Sequence, residues 1–159
     1  MSLPIVEQIA DKINTRLKDV TIANGYNYDA AEVVRPKREG IRNPKHLGIY
    51  LTQDDPISEG DHQGNPPVTG WEQPFGIWCF IRPDDEDTVP IDTINNQFAA
   101  DVMKALAAPA NWHRWDNLAA NSRMEMEQLV DPEGVIDGML VRLTVHYRTS
   151  ETDPYTARD

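Results

Sequence analysis

Between Met139 and Arg148 the chain reads MLVRLTVHYR, an alternation that suits an extended strand and no other regular structure. Met139, Val141, Leu143, Val145 and Tyr147 fall on one side, and Arg142, Thr144, His146 and Arg148 on the other. A helix would scatter the same residues around its circumference. The chain is thus committed to a sheet with one buried face. A second stretch, Trp71 to Arg82 (WEQPFGIWCFIR), sets Phe75, Ile77, Cys79 and Ile81 against Trp78 and Phe80. Both of its sides are apolar, so both faces of that strand are expected to be covered. Pro74 places a strand start or a sheet edge there.

Three further strands follow from shorter patterns. Glu32 to Arg35 is brief and closed by Pro36, and His46 to Thr52 puts Leu47, Ile49 and Leu51 on one face. Arg123 to Val130 alternates Met124, Met126 and Gln128 against Glu125, Glu127 and Leu129, and ends at the Asp131-Pro132-Glu133-Gly134 turn. Two segments instead have helical spacing. Ile5, Val6, Ile9, Ile13 and Leu17 form one stripe, with Ser2 as cap and Pro4 in the first turn. Ile91, Ile94, Phe98, Val102 and Leu106 form the other, led in by Asp84 to Asp87 with Pro90 in its first turn, and stopped by Pro109. Asn24-Gly25 is a turn signal. Residues 53–70 hold four Asp/Glu, three Pro and three Gly without a hydrophobic period, and read as one long acidic loop. Residues 150–159 read as a polar, extended tail.

The order is helix, three strands, helix, two strands. Clustered rather than alternating elements indicate an α+β fold. The expectation is a mainly antiparallel sheet of four to five strands with two helices packed on one face, in a single domain over residues 1–159. Composition agrees: 40% hydrophobic and 26% charged residues describe a soluble globular chain. No apolar run approaches the roughly 20 residues of a membrane span. The N-terminal stretch carries charges among its apolar residues and lacks a cationic lead-in, so no secretory signal is expected. The lone cysteine, Cys79, excludes an internal disulfide and a thiolate cluster, and an intracellular protein is expected.

The net charge of −11 argues against broad duplex binding, which depends on Lys and Arg neutralising phosphates. No GxSxG elbow, phosphate loop, GxGxxG or HExxH is present. His46, His62, His113 and His146 have no metal-ligand spacing, and Cys79 reads as a small buried hydrophobe rather than a nucleophile. Asp54, Asp55, Glu59, Asp61 and Asp84 to Asp87 do not match a calcium loop and read as solvated acidic segments. No catalytic residue, cofactor or resident metal is therefore expected. The basic cluster Arg35, Lys37, Arg38, Arg42 and Lys45 stands alone in an acidic chain. A phosphate contact, a solvated loop, or a surface for an acidic partner are its three readings, and net charge favours the partner. Such segregation allows head-to-tail association between copies. Trp112 and Trp115 flank His113 and Arg114, either as interface anchors or as a plug for the open end of the sheet.

The order of elements and three stretches within it resemble the tail terminator proteins of long-tailed bacteriophages and related minor tail or neck proteins. IVEQIADKINTRL is similar to that family's first helix, and IDTINNQFAADVMKAL sits between strands in the expected place. GMLVRLTVHYRTSETDPYTARD is similar to its terminal strand, in which an aromatic-Arg pair is followed shortly by Asp-Pro. Residues 53–70 and the Trp-rich connection match no part of the pattern. The resemblance implies a virion protein assembled in the host cytoplasm as a ring, usually of six copies. Such a ring caps the tail tube, meets the tail tube protein and the head-neck connector or stopper protein, and lets DNA pass through an acidic lumen without specific binding. A head-tail adaptor or stopper, another neck protein, a tube protein, a small enzyme and a cytosolic binding module are the alternatives. Charge segregation, not the resemblance, nominates the contact residues: Arg35, Lys37, Arg38 and Arg42, with Trp112 and Trp115, and Arg142, His146 and Arg148 on the last strand.

Overall fold

The computed structural model describes residues 2–30, 32–36, 47–59, 64–81, 88–129 and 137–158. Helix α1 spans Ile5–Leu17 and buries Ile5, Ile9, Ile13 and Leu17, the apolar stripe at three- and four-residue steps. Ser2 does not cap it. Pro4 is the N-cap, and its carbonyl accepts the amides of Glu7 and Gln8. Past the helix, a single turn at Ile22–Asn24 closes on Gly25, whose φ of 90° lies in the left-handed region that glycine tolerates. Helix α2, Ile91–Leu106, buries Ile94, Phe98, Val102 and Leu106, and its N-cap is Pro90. Neither described helix is long and apolar enough to cross a membrane.

The strands are β1 (Glu32–Val34), β2 (Leu47–Gln53), β3 (Ile57–Ser58), β4 (Val68–Ile81), β5 (Asn121–Gln128), β6 (Asp137–Ser150) and β7 (Asp153–Ala157). They form one sheet of order β1-β2-β4-β6-β5, with β3 on β4 and β7 on β6. The fold is α+β with two helices and a mixed seven-stranded sheet, larger than four to five strands. Two extra strands arise where the sequence carries no alternation. Ile57 and Ser58, inside the expected acidic loop, pair with Glu72 and Trp71, while Asp153–Ala157 of the tail pairs back on β6. Both are held by backbone bonds to a long neighbour, which a residue pattern does not announce. The mixed character comes from β1, which runs parallel to β2.

The long antiparallel partners β4 and β6 form the spine, paired from Val68↔Ser150 to Ile81↔Asp137. Pro74 lies inside β4 and not at its start. Its carbonyl accepts the Asp54 amide, so its amide side faces residues 54–56, the break between β2 and β3. The missing N–H therefore removes no ladder bond. Buried Gln73 covers the same break, its amide donating to the carbonyls of Asp54 and Pro74 at 2.7 and 2.9 Å.

Both helices pack on one face of the sheet. Ile49, Leu51, Phe75, Ile77, Cys79, Ile81, Val141, Leu143 and Val145 meet the helix stripes in a continuous core. The other face of β2, β4 and β6 carries buried Tyr50, Phe80 and Leu140, with Trp78 stacked on Phe80 at 6.2 Å. The two-sided apolarity of β4 has this origin.

Cys79 is fully enclosed, and burial pushes its thiol up to about 12. From an ordinary 9.0, that lowers the native thiolate population by about a thousandfold at neutral pH. Native protein at pH 8 should leave a disulfide reagent unreacted, and the thiol should titrate only as the chain unfolds. Burial, reinforced by the Glu32 carboxylate, likewise raises the Tyr50 hydroxyl to about 12. Both groups ionise earlier in the unfolded chain, which then binds fewer protons than the native one. Stability should fall as pH climbs from about 9 towards 12. Prompt native labelling of Cys79 would show that the β4 face opens without unfolding.

Candidate interface

The polar side of β6 places Arg142 and His146 as expected, on the sheet face opposite the helices, with Arg148 opposite Gly70 in register. They do not stand alone. Arg142 pairs with Glu127 of β5 at 3.1 Å, and His146 Nδ1 lies 2.6 Å from Glu59. Arg123 of β5 reaches Glu72 of β4 at 2.8 Å. These contacts run from the segment after β3 across β4 and β6 to β5 and give the face a row of paired polar and charged groups. Exposed pairs of this kind add little stability. Their consequence is electrostatic: Arg142 and His146 sit on this face as members of pairs. A Cβ at Gly70 would sit 2.8 Å from the Glu59 carboxylate, so a side chain there would oblige that flexible carboxylate to shift.

Of the basic cluster, Lys37, Arg38, Arg42 and Lys45 lie outside the described residues, as do Asp61, Asp84 to Asp87, His46 and His62. Arg35 is described, and its guanidinium turns inward to α1. It bonds Glu7 at 2.6 Å and Asp11 at 3.2 Å. The Arg35 hydrogen bond holds the Glu7 carboxyl below its usual range. Arg35 therefore ties β1 to α1. The strand ends bordering the basic and acidic stretches, Leu47 and Ile81, are register partners at the same end of the sheet.

The two tryptophans part company. Trp115 is fully buried, which removes it from any surface. It is the plug: its indole N–H donates to Ser122 at 2.9 Å, and the Arg16 guanidinium lies 3.9 Å from the ring centroid. Arg16 also donates to the carbonyls of Leu106 and Trp112 at 3.1 Å each, closing the ends of α1 and α2 together. The plug requires a sharp backbone. Trp115, Asp116 and Asn117 have φ of 49°, 57° and 67°, each costing on the order of 1 kcal/mol outside glycine. Lys12 holds this turn through Asp116 at 2.7 Å. Trp112 is half-buried, edge-on to His113, and keeps some surface.

A surface that charge reasoning missed lies where α1 begins and β6 ends. An open pocket of about 200 Å³ is lined by Pro4, Val6, Pro56, Trp71, Tyr147 and Pro154. Leu3, Ile57 and Tyr155, each next to a lining proline, are three of the six exposed large hydrophobics among the described residues. Tyr147 of β6 and Pro154 of β7 form one wall, and beside it the Asp153 carboxylate accepts the Tyr155 amide within β7. The available signal was the set of prolines beside apolar residues at 3–4, 56–57 and 154–155, dispersed along the chain and joined only by folding. Among the described residues, no group of three or more His, Cys, Asp or Glu could hold a metal ion.

The sequence matches no protein-family model and no curated protein.

Proposed function

We propose that this protein is a structural assembly subunit of a long-tailed phage: a tail terminator that forms a ring, caps the tail tube and joins it to the head-neck connector. One observation carries the reading. The closing stretch, one of the three that carry the resemblance, contributes Tyr147 and Pro154 to the open apolar corner of the molecule. An exposed apolar patch beside polar surface is the usual mark of an interaction site. The order of elements supports the same reading. A first helix, a largely antiparallel central sheet, a second helix and closing strands are what the resemblance implies. An asymmetric contact repeated between copies closes into a ring, with six copies proposed here. The charge of −11 suits a lumen through which DNA slides without adhering. In this reading the work of the chain is assembly rather than catalysis, its partners are its own copies, the tube protein and the connector, and its place is the virion.

The test is electron microscopy of particles made when this one protein is missing. Overlong or ragged tails beside unjoined, DNA-filled heads are expected. Tails of normal length beside leaking or unjoined heads would move the protein to the head side as an adaptor or stopper. Normal infectious particles would overturn the structural role and return an enzyme or a binding module to the front.

A further inference from the structure

Strand β5 ends the sheet beyond β6, and among the described residues no strand lies outside it. One bond fixes which way its backbone groups point. The Leu129 amide donates to the Gly138 carbonyl at 3.0 Å, one step beyond the Gln128↔Met139 pair. Antiparallel bonds alternate along a strand, so Asn121, Arg123, Glu125 and Glu127 direct their N–H and C=O groups at β6. Ser122, Met124, Met126 and Gln128 direct theirs away from the sheet. Among the described residues, none of these four is bonded through its backbone to another segment. Such a row of open donors and acceptors is a template for one more strand. The opposite edge offers no equal, because β1 has three residues and Arg35 straps it to α1.

The side chains of β5 select the strand that fits. Arg123, Glu125 and Glu127 lie on the face away from the helices, while Met124 packs against the core and Met126 beside it is 48% exposed. Arg123 engages Glu72 through Nη2 at 2.8 Å, which leaves its other guanidinium donors for a second carboxylate. Glu125 is exposed and enters none of the ion pairs among the described residues. Antiparallel pairing of β5 with β5 of a second copy has its two-fold axis at one residue, and the choice of axis sets the charge pattern. An axis at Arg123 faces Arg123 with itself, one at Glu125 faces Glu125 with itself, and one at Met126 faces Glu125 with Glu127. Only an axis at Met124 sets Arg123 opposite Glu125, on both sides of the axis, with no like charges opposed. Arg123 and Glu125 then occupy non-hydrogen-bonded positions, where opposed side chains come closest.

We propose that β5 is a self-pairing edge, through which two copies of this chain join antiparallel about a two-fold axis at Met124. Ser122 with Met126 of the second copy, and Met124 with its counterpart, exchange about six backbone hydrogen bonds. The two sheets become one, with the helices of both copies on the same side, and Met126 is covered by the second copy. The contact joins one patch to itself, so it is isologous and stops at two copies. It differs from the asymmetric contact of a ring, uses none of the residues lining the apolar corner, and does not rest on the assembly reading. The charge of −11 on each copy opposes pairing, so a dissociation constant in the micromolar to millimolar range is expected.

The experiment is sedimentation of the full chain over micromolar to millimolar concentration, with Arg123→Glu and Glu125→Arg as variants. Both side chains are exposed, so each variant should keep a thermal midpoint within a few degrees of wild type. The wild type should form a dimer. Each variant opposes like charges on both sides of the axis, so each should weaken dimerisation about tenfold or more. Mixed in equal amounts, the two should recover association of wild-type strength, because the carboxylates of one variant then face the guanidinium groups of the other. A wild type that stays monomeric to millimolar concentration would overturn the proposal, and so would variants that dimerise as tightly as wild type. Weakened variants whose mixture stays weak would show that the charges do not meet across the axis, which overturns it as well. None of these results bears on tail termination, which the missing-protein particles decide.

Discussion

Replacing Trp115 with alanine is expected to destabilise the chain by about 3–5 kcal/mol, the range for removing a fully buried aromatic. The residue has no exposed surface and fills the space between the ends of α1 and α2 and the start of β5. Its loss would leave a cavity, strip the Ser122 hydroxyl of its donor, and uncover the Arg16 guanidinium that lies over the ring. Burial already lowers the pKa of Arg16, so its charge is held there at a cost, and loss of the ring would remove the cation–π contact that offsets it. Thermal unfolding should show a midpoint lower by about 10 °C. Trp115→Phe keeps most of the volume and loses the indole donor, so its loss should be nearer 1 kcal/mol. A Trp115→Ala midpoint within a degree or two of wild type would show that the turn from 115 to 117 collapses without consequence.

Gly138→Ala is expected to cost about 3 kcal/mol or more, although it adds one methyl group. A Cβ at this position would lie 2.3 Å from the carbonyl oxygen of Cys79. Backbone cannot swing aside as a side chain does, so β4 and β6 would have to part at the buried end of the spine. Gly48→Ala is the control. Its Cβ would meet only side-chain atoms of Tyr50 and Glu32, at 3.4–3.5 Å, so less than about 1 kcal/mol is expected. Equal midpoints for the two variants would show that β6 can shift along β4 without loss.

Local residue patterns could not decide the place of Trp115 or of Arg35. Trp115 stood in a polar connection with His113 and Arg114, and nothing local distinguished an interface anchor from a plug. The distinction depends on Ser122 and Arg16, which are brought to the ring by separate elements. Arg35 had the same ambiguity. In a basic cluster it reads as partner surface, and in the fold it is the tie between β1 and the Glu7 and Asp11 of α1. Alternation alone puts Arg142 and His146 on the polar side of the last long strand, yet their carboxylate neighbours come from β5 and from the segment before β4.

Periodicity by itself determined both helices, the core stripe on each, and the inward faces of β2, β4 and β6. An apolar pattern repeating at 3.6 or 2 residues leaves one solution that removes it from water. Tertiary structure alone decided the remainder: β3 and β7, which exist through backbone bonds to longer strands; the parallel seat of β1; the burial of Trp115; and the apolar corner. The corner gathers Pro4, Pro56, Trp71, Tyr147 and Pro154 from five separate segments. Their side chains carry no shared spacing, and only the register of β4 against β6, with the start of α1 laid beside it, makes one surface of them.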